Sequence, residues 1–141
     1  MTADRKIAVV TGGAGFIGSH MVDLLVDRGY AVRVIDNLIG GREANLAHHT
    51  GKADVAFHRG DIRDFQPGDS LFDDVSHVFH FAGIGDIVPS IERPMEYMST
   101  NVQGTVHMLE CARHANKGAG VTKFVYAASS SCYGLAQTPT R

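Results

Sequence analysis

Apolar residues come in two kinds of block along this chain, separated by polar, glycine-bearing stretches. Short runs rich in Val, Ile and Phe read as buried strands, and apolar residues recurring every three or four positions read as helices. The pattern predicts strands at Lys6–Thr11, Ala31–Asp36, Val55–Arg59, Ser76–Phe81 and Lys123–Ala128. Between them it predicts a helix at Phe16–Asp27, closed by Gly29, with Ile17, Met21, Leu24 and Leu25 on one face. A short helix follows near Arg42–His48, and a long one runs from Met95 to Ala115. The stretch from Ala82, with Pro89 and Pro94, reads as loop, as do Asn116–Gly120 and everything from Ser129 onward. Such alternation is that of an α/β protein with a doubly wound parallel sheet. Right-handed crossovers give the strand order 3-2-1-4-5, with ligands beyond the carboxyl ends of strands one and four.

The first strand runs into Gly12, Gly15 and Gly18, spaced G-x-x-G-x-x-G, with Gly13 as an extra. Gly12 lets the chain turn, Gly15 lets backbone approach a pyrophosphate, and Gly18 lets the following helix pack closely. The N-terminus of that helix offers N–H groups and partial positive charge to phosphates. Asp36 ends the second strand, where an acid is placed to bind the ribose hydroxyls of a dinucleotide and to repel a 2′-phosphate, so NAD is expected over NADP. Asp61 and Ile62 follow strand three, at the adenine; Phe81, Ala82 and Gly83 follow strand four; Ser129, Ser130 and Ser131 follow strand five.

Composition narrows the classes. The chain has 141 residues and a net charge of −2, so neither nucleic acid nor an anionic membrane is an expected partner. No apolar run is long enough to span a membrane, and Asp4, Arg5 and Lys6 precede a strand in place of a secretory core, so a cytoplasmic location is expected. Cys111 and Cys132 form no disulfide framework and are read as free thiols. No metal site is expected: His48, His49 and His58 lie in and after a loop without helical ligand spacing, and His80, in an apolar strand, reads as a hydrogen-bonded core residue.

The motifs T-G-G-A-G-F-I-G-S-H, D-N-L, G-D-I-R-D, H-F-A-G, Pro94-x-x-Tyr97-x-x-x-Asn101-Val102-x-Gly104-Thr105 and S-S-S-C-Y-G together resemble the extended short-chain dehydrogenase/reductase family. Within it they are most similar to nucleotide-sugar 4-epimerases acting on UDP-glucose or UDP-N-acetylglucosamine. The resemblance implies one NAD-binding Rossmann domain over residues 1–141, with Gly12, Gly15, Phe16, Ile17 and Gly18 at the pyrophosphate, and Asp36 and Asn37 at the adenosine ribose. It places Asp61 and Ile62 at the adenine, and Phe81, Ala82, Gly83 and Asn101 along the nicotinamide half. Ser129 matches the family's catalytic hydroxyl, with Ser130 beside it and Ser90 near the sugar. It further implies a nucleotide-sugar substrate of the UDP-hexose type and a homodimer paired through the long helix.

One departure is plain. The family's base is a Tyr with a Lys four residues on, and the residues four beyond Tyr30, Tyr97, Tyr126 and Tyr133 are Val34, Asn101, Ser130 and Gln137. The expectation is therefore the N-terminal part of an epimerase, its sheet incomplete at the C-terminal side and the sugar-binding portion beyond Arg141, binding NAD without turnover of its own. Dehydratases and decarboxylases of the same fold are the alternative. They resemble S-T-D-E-V-Y-G or S-T-S-E-V-Y-G where this chain has Ser130 and Ser131, and the missing acid favours the epimerase. A non-catalytic NAD-binding module is the third reading.

Overall fold

In a computed structural model, residues 5–129 and Gly134 are described. Strands β1 (Ile7–Thr11), β2 (Ala31–Asp36), β3 (Val55–Arg59), β4 (Val75–His80) and β5 (Lys123–Tyr126) form one sheet in the order β3-β2-β1-β4-β5. Every pairing is parallel, with Val9 opposite Arg33 on one side and Val78 on the other. The doubly wound sheet and its strand order are thus as the alternation predicts.

Successive residues of a strand face opposite sides, so each strand feeds two cores. Ala8, Val10, Val32 and Val34 meet Val22 and Leu25 of helix α1 (Phe16–Asp27) on one side. On the other, Val9, Ile35 and Val78 meet Phe72 and, from helix α4 (Gly104–His114), Met108, Cys111 and Ala112. Burial pushes the Cys111 thiol up to about 11, so it stays protonated and serves as a small apolar side chain.

Helix α1 has the predicted ends and half of the predicted face, with Leu25 buried and Met21 packed against the core. Its buried residues are Gly18, Ser19, Val22 and Leu25, whereas Ile17 and Leu24 are 63% and 46% exposed. Small residues at positions 18 and 19 let the helix lie close to the glycine turn, and that closeness outweighs the apolar area of Ile17. The stretch after Ala82 is not all loop: it holds helix α2 (Ile87–Glu92). Pro89 is its third residue, inside the first turn, where no helical hydrogen bond needs its missing N–H. The long helix is present as α3 (Pro94–Tyr97), a π-helical stretch (Met98–Gln103) and α4 in direct succession. The short helix is a 3₁₀-helix over Glu43–His49. No helix among the described residues is long and apolar enough to cross a membrane.

Candidate functional site

The strands' carboxyl ends open into a cleft with two lobes that share the wall Phe81–Gly85. The first, about 290 Å³, is lined by Gly12, Gly15, Asp36, Asn37, Gly41 and Ile62 among others. The second, about 280 Å³, adds His80, Asn101, Thr105, Tyr126 and Ser129.

Backbone builds the first lobe. Gly12 leaves β1 at φ +68° and donates its N–H to Ile35 O at 2.8 Å. A Cβ there would lie 2.8 Å from Ala82 N and 2.9 Å from Phe81 C, so only glycine lets β4's exit pass so near. A Cβ at Gly18 would lie 2.1 Å from Gly12 O: the close approach is to the turn itself. The N-cap of helix α1 is Gly15, which has no side chain to cap it, and no acid occupies the first turn. The N–H groups of Phe16, Ile17 and Gly18 have no partner within the helix, and they carry the positive end of its dipole. The side chains of Phe16 and Ile17 point to solvent, so these residues present backbone.

Asp36 is buried at this turn. Its Oδ2 accepts from Ala14 N–H at 2.9 Å and its Oδ1 from Leu38 N–H at 2.8 Å. Each oxygen keeps a lone pair for a further donor in the cleft. Asn37 reaches sideways, donating from Nδ2 to Asp61 Oδ2 at 3.0 Å. Asp61 itself does not line the cleft, although Gly60 and Ile62 beside it do. Its carboxylate accepts four hydrogen bonds, three from Arg63 and one from Asn37, which occupies its acceptor sites. The Arg63 guanidinium holds the Asp61 carboxyl down to about 2, with the Arg63 backbone N–H and Asn37 adding to it.

Side chains build the second lobe. Asn101, in the π-helical stretch, accepts from Ile84 N–H through Oδ1 and donates to Ile84 O through Nδ2, both at 2.9 Å. It grips the shared wall as a paired strand would. π-Helical turns are rare and concentrate at functional sites, and this one swings Asn101 onto the wall. Beneath it lies a one-way chain of protons. Thr105 Oγ1 donates to Asn101 O at 2.6 Å and so accepts from His80 Nε2–H at 3.0 Å. His80 Nδ1 then accepts from the Thr11 hydroxyl at 2.7 Å, and Thr11 Oγ1 accepts from Ala82 N–H at 3.2 Å. The Nε2–H tautomer of His80 is the one that satisfies every member. Burial lowers His80 to about 4, so it is neutral at pH 7. His80 is the hydrogen-bonded core residue its strand predicts, and it also floors the second lobe.

The structure therefore brings together Gly12, Gly15, Asp36, Asn37, Ile62, Phe81, Ala82 and Gly83 in one lobe, and Asn101 and Ser129 in the other. Ser129 is exposed at the rim. Ser90 lines neither lobe and donates to Ile87 O within α2 at 2.6 Å. Ser130 lies outside the described residues, as do Ser131, Cys132 and Tyr133. Sequence reasoning missed Thr11, His80, Thr105 and Gly41 as parts of the site. The Gly40–Gly41 pair after Asp36 was a readable clue, since a Cβ at Gly41 would lie 2.8 Å from both Asp36 oxygens.

The family model for GDP-mannose 4,6-dehydratase matches residues 9–141. The chain belongs to this family. It is 39% identical over 138 residues to the UDP-glucose 4-epimerase uge1 of Schizosaccharomyces pombe, covering 94% of this chain and 37% of that one. It is 35% identical over 130 residues to a UDP-glucose 4-epimerase of Klebsiella pneumoniae, covering 89% of this chain and 91% of that one. The solved UDP-glucose-4-epimerase of Stenotrophomonas maltophila, with bound NAD and formylated UDP-arabinopyranose, superposes with a TM-score of 0.82 at 31% identity, over 96% of this chain and 41% of that one. The motif resemblance to NAD-dependent sugar-nucleotide epimerases and dehydratases is borne out.

Proposed function

We propose that the chain is the cofactor-binding part of an NAD-dependent UDP-hexose 4-epimerase. The observation that carries this is the two-lobed cleft: a glycine turn, an uncapped helix end and a buried acid in one lobe, and a side-chain floor in the other, joined by one wall. An elongated dinucleotide fits that layout. Gly15 and the first-turn N–H groups of Phe16, Ile17 and Gly18 take the pyrophosphate. Asp36 takes the adenosine ribose, Asn37 borders it, and Ile62 flanks the adenine. Asp61 acts by holding Asn37 in place. Phe81, Ala82 and Gly83, held by Asn101, back the nicotinamide. When bound, NAD supplies an oxidant that accepts a hydride from the sugar and returns it. Ser129 hydrogen-bonds the sugar 4-oxygen as its proton leaves and returns, with Ser130, next in sequence, as a further substrate hydroxyl.

The family model is named for a dehydratase, and the relatives quoted are epimerases. Serine at positions 130 and 131, where dehydratases resemble an acid pair, favours the epimerase. A homodimer is supported by Met95, Met98, Val102, Val106 and Leu109, an exposed apolar stripe at helical spacing from α3 into α4.

The test is calorimetric titration of the 141-residue chain with NAD⁺ and NADP⁺, followed by an assay of UDP-glucose and UDP-galactose interconversion. NAD⁺ is expected to bind at least about tenfold more tightly than NADP⁺, from charge repulsion at Asp36 worth roughly 1.4 kcal/mol or more. These residues hold no Tyr-x-x-x-Lys pair, so no interconversion is expected from them alone. A folded chain that ignores NAD⁺ refutes the cofactor assignment, and measurable interconversion refutes the need for the missing pair.

A further inference from the structure

We propose that Asp23, His48 and His49 form a site for a divalent transition-metal ion of the zinc class, apart from the nucleotide cleft. Asp23 lies midway along α1, and the two histidines end the 3₁₀-helix that packs beside it. His48 Nε2 lies 2.7 Å and His49 Nε2 2.6 Å from the same atom, Asp23 Oδ1. All three donor atoms fall within 4.8 Å of one another. None of the three residues lines either lobe of the cleft. As loop histidines without helical spacing they gave no metal pattern in the sequence. The fold supplies the third ligand from a residue 25 positions away from His48.

The convergence itself is unusual. Neighbouring residues on a 3₁₀-helix point about 120° apart, so adjacent side chains ordinarily diverge. Here both rings turn to one oxygen, and their centroids stand 4.1 Å apart at 45°. A divalent ion suits that convergence, since imidazole nitrogens and a carboxylate oxygen are all ligand atoms for it. Asp23 supplies the carboxylate oxygen that both rings face.

The geometry sets the metal and the strength. Two imidazoles and a carboxylate suit Zn²⁺, Ni²⁺ or Cu²⁺ and not Mg²⁺ or Ca²⁺. Tetrahedral zinc with bonds of about 2.1 Å holds its ligand atoms roughly 3.4 Å apart, so each histidine–Asp23 separation must open by about 0.7 Å, through movement of His48 and Asp23. His48 is half exposed and can yield, while His49 is 6% exposed and stays fixed. Asp23 is 42% exposed, which leaves the fourth position open to water. The supporting shell is thin: His49 Nδ1 is buried with no hydrogen-bond partner among the described residues. Missing outer partners typically cost about 10–100-fold in affinity, which puts the site in the micromolar class, well short of structural zinc. An ion here clamps α1 to the 3₁₀-helix.

The test is Zn²⁺ titration calorimetry in a non-chelating buffer, with Co²⁺ absorption as a second readout, on the wild type, His48→Ala and Asp23→Ala. The wild type is expected to take up one equivalent at micromolar affinity, to give a tetrahedral Co²⁺ spectrum, and to gain thermal stability with Zn²⁺ but not with Mg²⁺. Each variant is expected to bind at least about tenfold more weakly and to lose the spectrum. If Asp23→Ala fails to fold, the exposed His48→Ala decides. No saturable uptake, or equal uptake by wild type and His48→Ala, overturns the site, since the ions then sit on other histidines or nowhere. NAD⁺ does not enter this readout, so its outcome is independent of the cofactor assignment.

Discussion

At the Asp36 end of the cleft the wall is main chain held by glycines; at the Ser129 end it is main chain held by side chains. Gly12, Gly18 and Gly41 have no room for a Cβ, and the contacts that deny it are largely to backbone or to the Asp36 carboxylate. The second lobe has no such crowding. Asn101 pins Ile84, and Thr11, His80 and Thr105 hand hydrogen bonds from Ala82 N–H to Asn101 O. The difference predicts two failure modes. Damage to the first lobe is steric and abrupt, whereas damage to the second is polar, graded and sensitive to pH.

The largest effect is expected at Gly18. In Gly18→Ala the new Cβ meets Gly12 O at 2.1 Å and Gly13 Cα at 2.7 Å, both backbone, so the helix or the turn must move. Overpacking of side chains costs about 1–3 kcal/mol, and a backbone clash falls at or above the top of that range. Urea denaturation is expected to show a loss of about 3 kcal/mol, with NAD⁺ and ADP binding reduced together. An unchanged midpoint and unchanged ADP affinity would show that the first lobe tolerates relaxation, and the contrast with the second would collapse.

Next comes acidification. His80 titrates near 4 in the folded chain against 6.5 unfolded. Between those values the unfolded chain binds the proton and the folded chain does not, so stability falls as pH drops. The contribution is complete above about 6.5 and lost towards 4; at 1.36 kcal/mol per unit it totals roughly 3 kcal/mol. Asp61 acts in a separate window, since its depressed value preserves its contribution until pH falls through about 3.8 towards 2. Urea midpoints between pH 7 and 4.5 are expected to fall in the wild type and to fall less steeply in His80→Gln, where burial still lowers His58 and His77. A parallel fall in both would assign the pH dependence elsewhere.

What the sequence revealed divides along the same line. Val9 and Val10 feed opposite cores because strands alternate, and Gly12 and Asp36 are legible because turns and strand ends demand particular residue types locally. Asn101 was legible as part of a motif, but its grip on Ile84, 17 residues away, was not. His80 was expected to be hydrogen-bonded, yet its partners come from β1 and α4, which only the folded sheet brings together. The face of α1 misled for a related reason: apolar area favours Ile17 and Leu24, and the tight seat of Gly18 on the turn decides otherwise. Helix α2 was hidden by Pro89, which punctuates a loop and starts a helix equally well.

The smallest effect makes the sharpest distinction. Thr105→Val keeps the shape of the side chain and removes the hydroxyl, leaving His80 Nε2–H without an acceptor and Asn101 O without that donor. A part-buried polar group left unpaired costs about 1–2 kcal/mol, and Thr105→Ser, which restores the oxygen, is expected to recover most of it. ADP reaches only the first lobe, so its affinity is expected to stay constant across the pair, while NAD⁺ affinity falls severalfold in Thr105→Val and returns in Thr105→Ser. A loss of ADP affinity equal to that of NAD⁺ would mean that the two lobes are coupled through the shared wall Phe81–Gly85, because the damaged proton chain then reaches the glycine turn by way of Thr11 and Ala82 N–H.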